Sequence, residues 1–213
     1  MKLLLENWRK FLKEGVDPRI QKQINYLLKQ RAGFKVLVDL WAAPEEVTIM
    51  YGHEGDNDQG VLGKVVIGYQ TPGPCFDGYV VIETMARSGM GPLLYEVALE
   101  WASQKAGGLM SDRKDVSTYA YAVWDKYLDR SDVQNKQMDI INPEDYMPPL
   151  TRLTPDVPED DCIQASAVDN IINVDNDGEK AWVDSPLSKI YYKSTTEVMD
   201  ALRAADKLWI GEQ

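Results

Sequence analysis

The chain has 213 residues, 44% of them hydrophobic, enough to bury the core of one ordinary domain. Thirty-four acidic residues against 23 basic ones give a formal net charge of −11. That balance excludes a non-specific nucleic-acid binder, which needs a basic face to displace counterions from phosphates.

Residues 1–14, MKLLLENWRKFLKE, place Leu4, Leu5, Trp8, Phe11 and Leu12 at helical spacing, and Gly15 stops that helix. This leader reads as a helix packed on the body or as a detachable address. Three apolar residues after Lys2 are too few for a signal peptide. Asp17-Pro18 starts a second helix over 16–31, with Ile20, Ile24, Leu27 and Leu28 on one face. Four strands are then expected: Phe34–Trp41, Glu46–Tyr51, Val61–Tyr69 and Tyr79–Thr84, with turn clusters at Asp56–Gly60 and Pro72–Pro74. They make an antiparallel meander.

Arg87-Ser88-Gly89-Met90-Gly91 leads directly into a helix from Pro92 to Ala106, with Leu93, Leu94, Val97, Ala98 and Trp101 as its apolar stripe. Leu109-Met110 is a short fifth strand. Val116–Leu128 is a helix, with Asp115 or Ser117 as its cap and Val116, Tyr119, Ala120, Val123, Trp124 and Tyr127 on one side. Residues 142–186 hold six of the eleven prolines and eleven acidic against two basic residues, an acidic, loop-rich insertion. Lys189–Lys193 is a late strand, and Thr195–Trp209 a last helix. The expected organisation is a leader (1–15), a mixed α/β core (16–141), the insertion (142–186) and a strand and helix (187–213) that complete the core.

The strand–glycine loop–helix unit carries the chemistry. Glycines let the backbone approach a bound group, and the first helical turn offers unpaired N–H donors and the positive end of its dipole to a phosphate. Arg87 adds a cation at the loop entrance. A tight structural turn would use the same residues.

One or two helices, a meander, then strand–Gly loop–helix–short strand–helix resembles the GNAT superfamily of N-acetyltransferases. The likeness covers residues 16 to about 130. It rests on Val80–Thr84 followed by Arg87-Ser88-Gly89-Met90-Gly91-Pro92-Leu93-Leu94-Tyr95, and on Ser117-x-x-Ala120-x-x-Val123-Trp124. The resemblance implies a mostly antiparallel sheet flanked by helices. It also implies that Arg87, Ser88, Gly89, Met90 and Gly91 hold the pyrophosphate of acetyl-CoA, with Arg113 or Lys114 near its 3′-phosphate, the arginine fork suiting a phosphate well. The family motif is Gln/Arg-x-x-Gly-x-Gly/Ala, whereas here the arginine stands one position nearer the glycines, and Pro92 removes a donor. Trp124 stands where the family often has the tyrosine that protonates the CoA thiolate, and indole is no acid. Tyr127 is the substitute, or else a plain core aromatic. Glu83 is the expected general base if burial adapts it, or else a solvent-facing strand residue.

Other signals carry less. Asn173-x-Asp175-x-Asp177-Gly178 with Asp184 has the spacing of a calcium loop, but Lys180 and the last Asp depart from that pattern, and a β-hairpin turning at Asp177-Gly178 is preferred. His53 reads as a surface loop residue. No metal site is expected, since Cys75, Cys162 and His53 are too few and too scattered to form one. Without an 18-residue apolar run no membrane span or membrane partner is expected. Two cysteines make no disulfide framework, so a reduced, cytoplasmic setting is expected. The expected partners are an acyl donor, acetyl-CoA, and an amine acceptor, either a small molecule or a protein. No nucleic acid is expected, and the acidic segment can engage a protein. The alternative is a catalytically inactive GNAT-like binding or virion-associated protein. Phe11-Leu12-Lys13-Glu14-Gly15 is similar to the short leaders of tailed-phage internal head proteins, which are cleaved after a glutamate.

Overall fold

The computed structural model describes residues 17–30, 33–40, 45–53, 62–70, 78–112, 116–137 and 184–212. The leader, nearly all of the acidic insertion with residues 173–183 of its candidate calcium motif, both cysteines, Arg113 and Lys114 lie outside the described residues. The described chain is mixed α/β. Eight strands form a mostly antiparallel sheet in the order β6-β7-β5-β4-β3-β2-β1-β8, flanked by four helices.

The helices are α1 (Pro18–Lys29), α2 (Gly91–Lys105), α3 (Thr118–Asp129) and α4 (Glu197–Ala204). The strands are β1 (Phe34–Leu40), β2 (Glu46–His53), β3 (Gly63–Gln70), β4 (Gly78–Ala86), β5 (Leu109–Met110), β6 (Gln134–Gln137), β7 (Lys189–Tyr192) and β8 (Leu208–Glu212). Contacts divide the chain into two compact units. The first takes residues up to Gly68, Ile82–Trp101 and everything from Ser194. The second takes Tyr69–Val81 and Ala102–Lys193.

In the first unit α1 starts as expected. The Asp17 carboxylate accepts from the Arg19 N–H at 2.8 Å, and Pro18 occupies the first helical position. Its buried face is Ile20, Gln23, Ile24 and Leu27. Leu28 is exposed, so a glutamine takes the place that the periodicity gave to a leucine. β1 and β2 pair antiparallel from Phe34↔His53 to Leu40↔Val47, and β2 pairs antiparallel with β3. His53 therefore ends a strand, with its ring edge-on to Phe34 at 5.2 Å, rather than lying in a loop. α2 is buried on nearly every side from Leu93 to Ala102, including Glu96 and Glu100.

The expected last helix is cut short. α4 stops at Ala204, and Asp206 takes φ 53°, a left-handed conformation. The Lys207 N–H bonds the Leu202 carbonyl at 2.7 Å and the Asp206 N–H bonds that of Arg203 at 3.0 Å, the two bonds of a Schellman cap with aspartate where glycine is usual. Leu208–Glu212 then leave the helix and pair parallel with β1, from Val36↔Leu208 to Leu40↔Glu212.

In the second unit β4 and β5 run parallel through Tyr79↔Leu109 and Val80↔Met110, β5 pairs antiparallel with β7, and β7 with β6. Ser117 caps α3 by accepting from the Ala120 N–H. Only Trp124 and Tyr127 of α3 are fully buried, and Tyr119, expected on the packed side, is 89% exposed. Trp124 stacks on Tyr191 at 5.6 Å, and Tyr127 closes the aromatic trio. Gly108, at φ 138°, sits where a Cβ would fall 2.3 Å from the Tyr191 carbonyl oxygen, so β5 enters beside β7 only because no side chain is there.

Candidate functional site

The candidate site is the turn between β4 and α2, wholly within the first unit. The Met90 N–H bonds the Arg87 carbonyl at 2.9 Å, and Gly89, the third residue of that turn, has φ 78°. This is the pattern of a type II turn, whose third position favours glycine. A Cβ built on Gly89 would have no heavy atom within 4 Å. The turn is held at its start by the Arg87 N–H on the Leu62 carbonyl at 3.0 Å. Arg87, Ser88 and Gly89 are exposed.

Beneath the turn lies a buried polar pair that sequence reasoning misses. Gln23 and Tyr51 are each 2% exposed. Gln23 Nε2 donates to the Gly89 carbonyl at 2.5 Å, and its Oε1 accepts from the Leu93 N–H at 2.7 Å. These two bonds fix the amide's orientation, since a flipped amide would face donor to donor and acceptor to acceptor. The Tyr51 hydroxyl approaches Met90 O at 2.9 Å and Gln23 Oε1 at 3.1 Å. Its single proton is shared between two acceptors, with the closer approach to Met90. Burial first, and Tyr26 second, push the Tyr51 phenol well above the usual tyrosine range, so it remains a donor. The available signal was Gln23 itself, a polar residue on the stripe that Ile20, Ile24 and Leu27 define.

Several N–H groups of the turn are already paired. Those of Arg87 and Met90 bond backbone carbonyls, that of Leu93 bonds Gln23, and Pro92 has none. Among the described residues, the amides of Ser88, Gly89 and Gly91 have no partner. In a trans peptide the carbonyl and the following N–H point in opposite directions. Drawing the Met90 carbonyl down onto Tyr51 therefore turns the Gly91 N–H away from the core. Gly91 opens α2, where the helix dipole is positive.

Glu83 lies on β4 in the same unit. Its side chain is 54% exposed, and its carboxylate receives Lys64 Nζ at 2.8 Å. It is the solvent-facing strand residue, and the burial asked of a general base is not provided. Next to it, Thr84 Oγ1 and Tyr95 Oη are hydrogen-bonded at 3.0 Å. Tyr127 belongs to the second unit. It is 3% exposed, packed against Trp124 and Tyr191, with the Arg130 guanidinium 5.4 Å from its ring centre. Arg87, Ser88, Gly89, Met90, Gly91 and Glu83 are thus brought together on one unit, and Tyr127 is a core aromatic of the other. Among the described residues no group of three His, Cys, Asp or Glu side chains is arranged to hold a metal ion, and no helix is long and apolar enough to cross a membrane. Comparison of the chain with protein-family models, with curated proteins and with solved structures gives no match.

Proposed function

We propose that the chain is a GNAT-like, acetyl-CoA-dependent N-acetyltransferase, acting in the cytoplasm on an amine acceptor. The observation that carries the reading is the exposed turn after β4, with the amides of Ser88, Gly89 and Gly91 open beside Arg87 at the start of α2. Outward amides, a helix N-terminus and a guanidinium suit the pyrophosphate of a coenzyme A thioester. In this reading the bound acceptor covers Glu83 on the same strand and displaces Lys64 from it, and Glu83 then takes the proton from the attacking amine. The reading gives Tyr127 no part, because its ring is buried among aromatics. Isothermal titration of the full chain with acetyl-CoA tests binding, and release of free coenzyme A thiol with a panel of primary amines tests transfer. No detectable heat at high micromolar protein ends the proposal. Glu83→Gln should lower turnover about a hundredfold or more while sparing acetyl-CoA affinity.

A second reading, favoured by the exposed Glu83 and the buried Tyr127, is a catalytically silent binding protein on the same scaffold, virion-associated if the phage-like leader is used. Binding of acetyl-CoA without thiol release across the panel selects it.

A further inference from the structure

We propose that Gln23 and Tyr51 are positioning residues for the glycine turn, holding the Gly89 and Met90 carbonyls toward the core so that the open Gly91 amide is aimed outward before any ligand arrives. The inference rests on the reading of that turn as a diphosphate cradle. Neither side chain touches the ligand in it. Both act through the backbone.

The geometry is specific. Two consecutive carbonyls, those of Gly89 and Met90, are each taken by a different buried side chain, at 2.5 and 2.9 Å. A structural turn needs only its own closing bond, which the Met90 N–H already makes to Arg87. The two further bonds fix the orientation of both peptide planes that follow Gly89. If the Met90–Gly91 peptide flipped, a carbonyl would face the anion in place of an N–H. A flip would also take from the Tyr51 hydroxyl its closer acceptor, leaving its proton only Gln23 Oε1 at 3.1 Å, so the pair disfavours that flip. Gln23 adds a second constraint, because the same amide group holds the Leu93 N–H and thereby ties the turn to the first turn of α2. Preorganisation of this kind strengthens binding, because the turn is ordered before the ligand arrives.

The test uses the full-length chain and two variants. Tyr51→Phe removes one hydroxyl and no packing volume. Gln23→Met keeps the length and removes both polar ends. Coenzyme A and inorganic pyrophosphate are titrated into each protein calorimetrically, and backbone amide order at Ser88, Gly89 and Gly91 is read by nitrogen relaxation without ligand. The expected result is about a fivefold to tenfold weaker coenzyme A affinity for Tyr51→Phe, a larger loss for Gln23→Met, and lower amide order in both. A merely structural role lowers the melting temperature but leaves the affinity of the folded protein and the order of the turn unchanged. Wild-type binding with both variants within about twofold of it overturns this inference and leaves the functional reading standing. Failure of the wild-type chain to bind either probe overturns both.

Discussion

Replacing Glu100 by glutamine should destabilise the first unit by about 2–3 kcal/mol. Glu100 is completely buried on α2. Its Oε1 accepts from the Val198 N–H at 3.0 Å and its Oε2 from the Met199 N–H at 2.8 Å. These are two of the four N–H groups that the start of α4 leaves unpaired. The helix's own N-cap, Thr196, makes no side-chain cap bond, because its hydroxyl is engaged with Asp200 at 2.9 Å. A carboxylate accepting at both oxygens beside a helix N-terminus makes bonds worth roughly 1.5–3 kcal/mol each. Glutamine keeps the volume and one acceptor but turns an NH2 group toward the second N–H, so one bond is lost and no cavity forms. For a chain of this size the loss corresponds to a fall in melting temperature of roughly 5–10 °C. Urea unfolding followed by far-ultraviolet circular dichroism measures it directly. A loss below about 0.5 kcal/mol would refute the argument, because it would mean that the carboxylate's charge contributes nothing at the helix start.

Gly89→Ala should cost about 1 kcal/mol, because the open space around the residue leaves only its positive φ to resist a side chain. Gly91→Ala should be close to neutral, since its Cβ would lie in ordinary contact with Ala86 at 3.6 Å, and the pair of urea midpoints checks both. In the second unit, hydrogen bonding from Arg130 first, and the nearby charges of Arg130 and Lys193, hold the Asp132 carboxyl below the usual carboxylate range against partial burial. A depressed pKa stabilises the fold fully above the unfolded value of about 3.9, and that contribution is lost as pH falls through the folded value. Carbon-detected titration of Asp132 should give a midpoint below the unfolded one, and a midpoint at or above it contradicts the geometry.

The helices and strands legible in the sequence are those whose signals are local. Asp17-Pro18 announces α1, Ser117 announces α3, and the Val/Ile-rich runs announce β1 to β4. β6 escapes such reading because Gln-Asn-Lys-Gln has no β-branched or aromatic residue, and as an exposed edge strand it needs none. β8 escapes it because Val198, Leu202, Ala205 and Trp209 continue a helical period across the true end of α4. The stop is set by Asp206 in a conformation that sequence rules reserve mainly for glycine. At the candidate site the glycine turn is legible and its support is not. Gln23 reaches Gly89 across 66 positions and Tyr51 reaches Met90 across 39, and no local pattern encodes either.

The helices sort the same way by how they are capped, and the sorting bears on function. α1 and α3 are capped by their own preceding residues, Asp17 and Ser117. α2 and α4 receive their caps from a different helix, Gln23 on α1 and Glu100 on α2. The two capping side chains differ by one charge. A carboxylate beneath α4 neutralises the positive end of that helix. A neutral amide beneath α2 pairs the Leu93 N–H and leaves the positive end available to an anion from outside. Gln23→Glu therefore separates capping from anion binding. The introduced carboxylate can still accept from Leu93 and Tyr51, but it faces the Gly89 carbonyl as a second acceptor and sets a negative charge below the turn. The expected outcome is coenzyme A binding weakened about tenfold or more near neutral pH, the loss shrinking as acid protonates the introduced carboxyl group. Equal affinity in Q23E and wild type at low ionic strength would mean that no anion is bound above this turn.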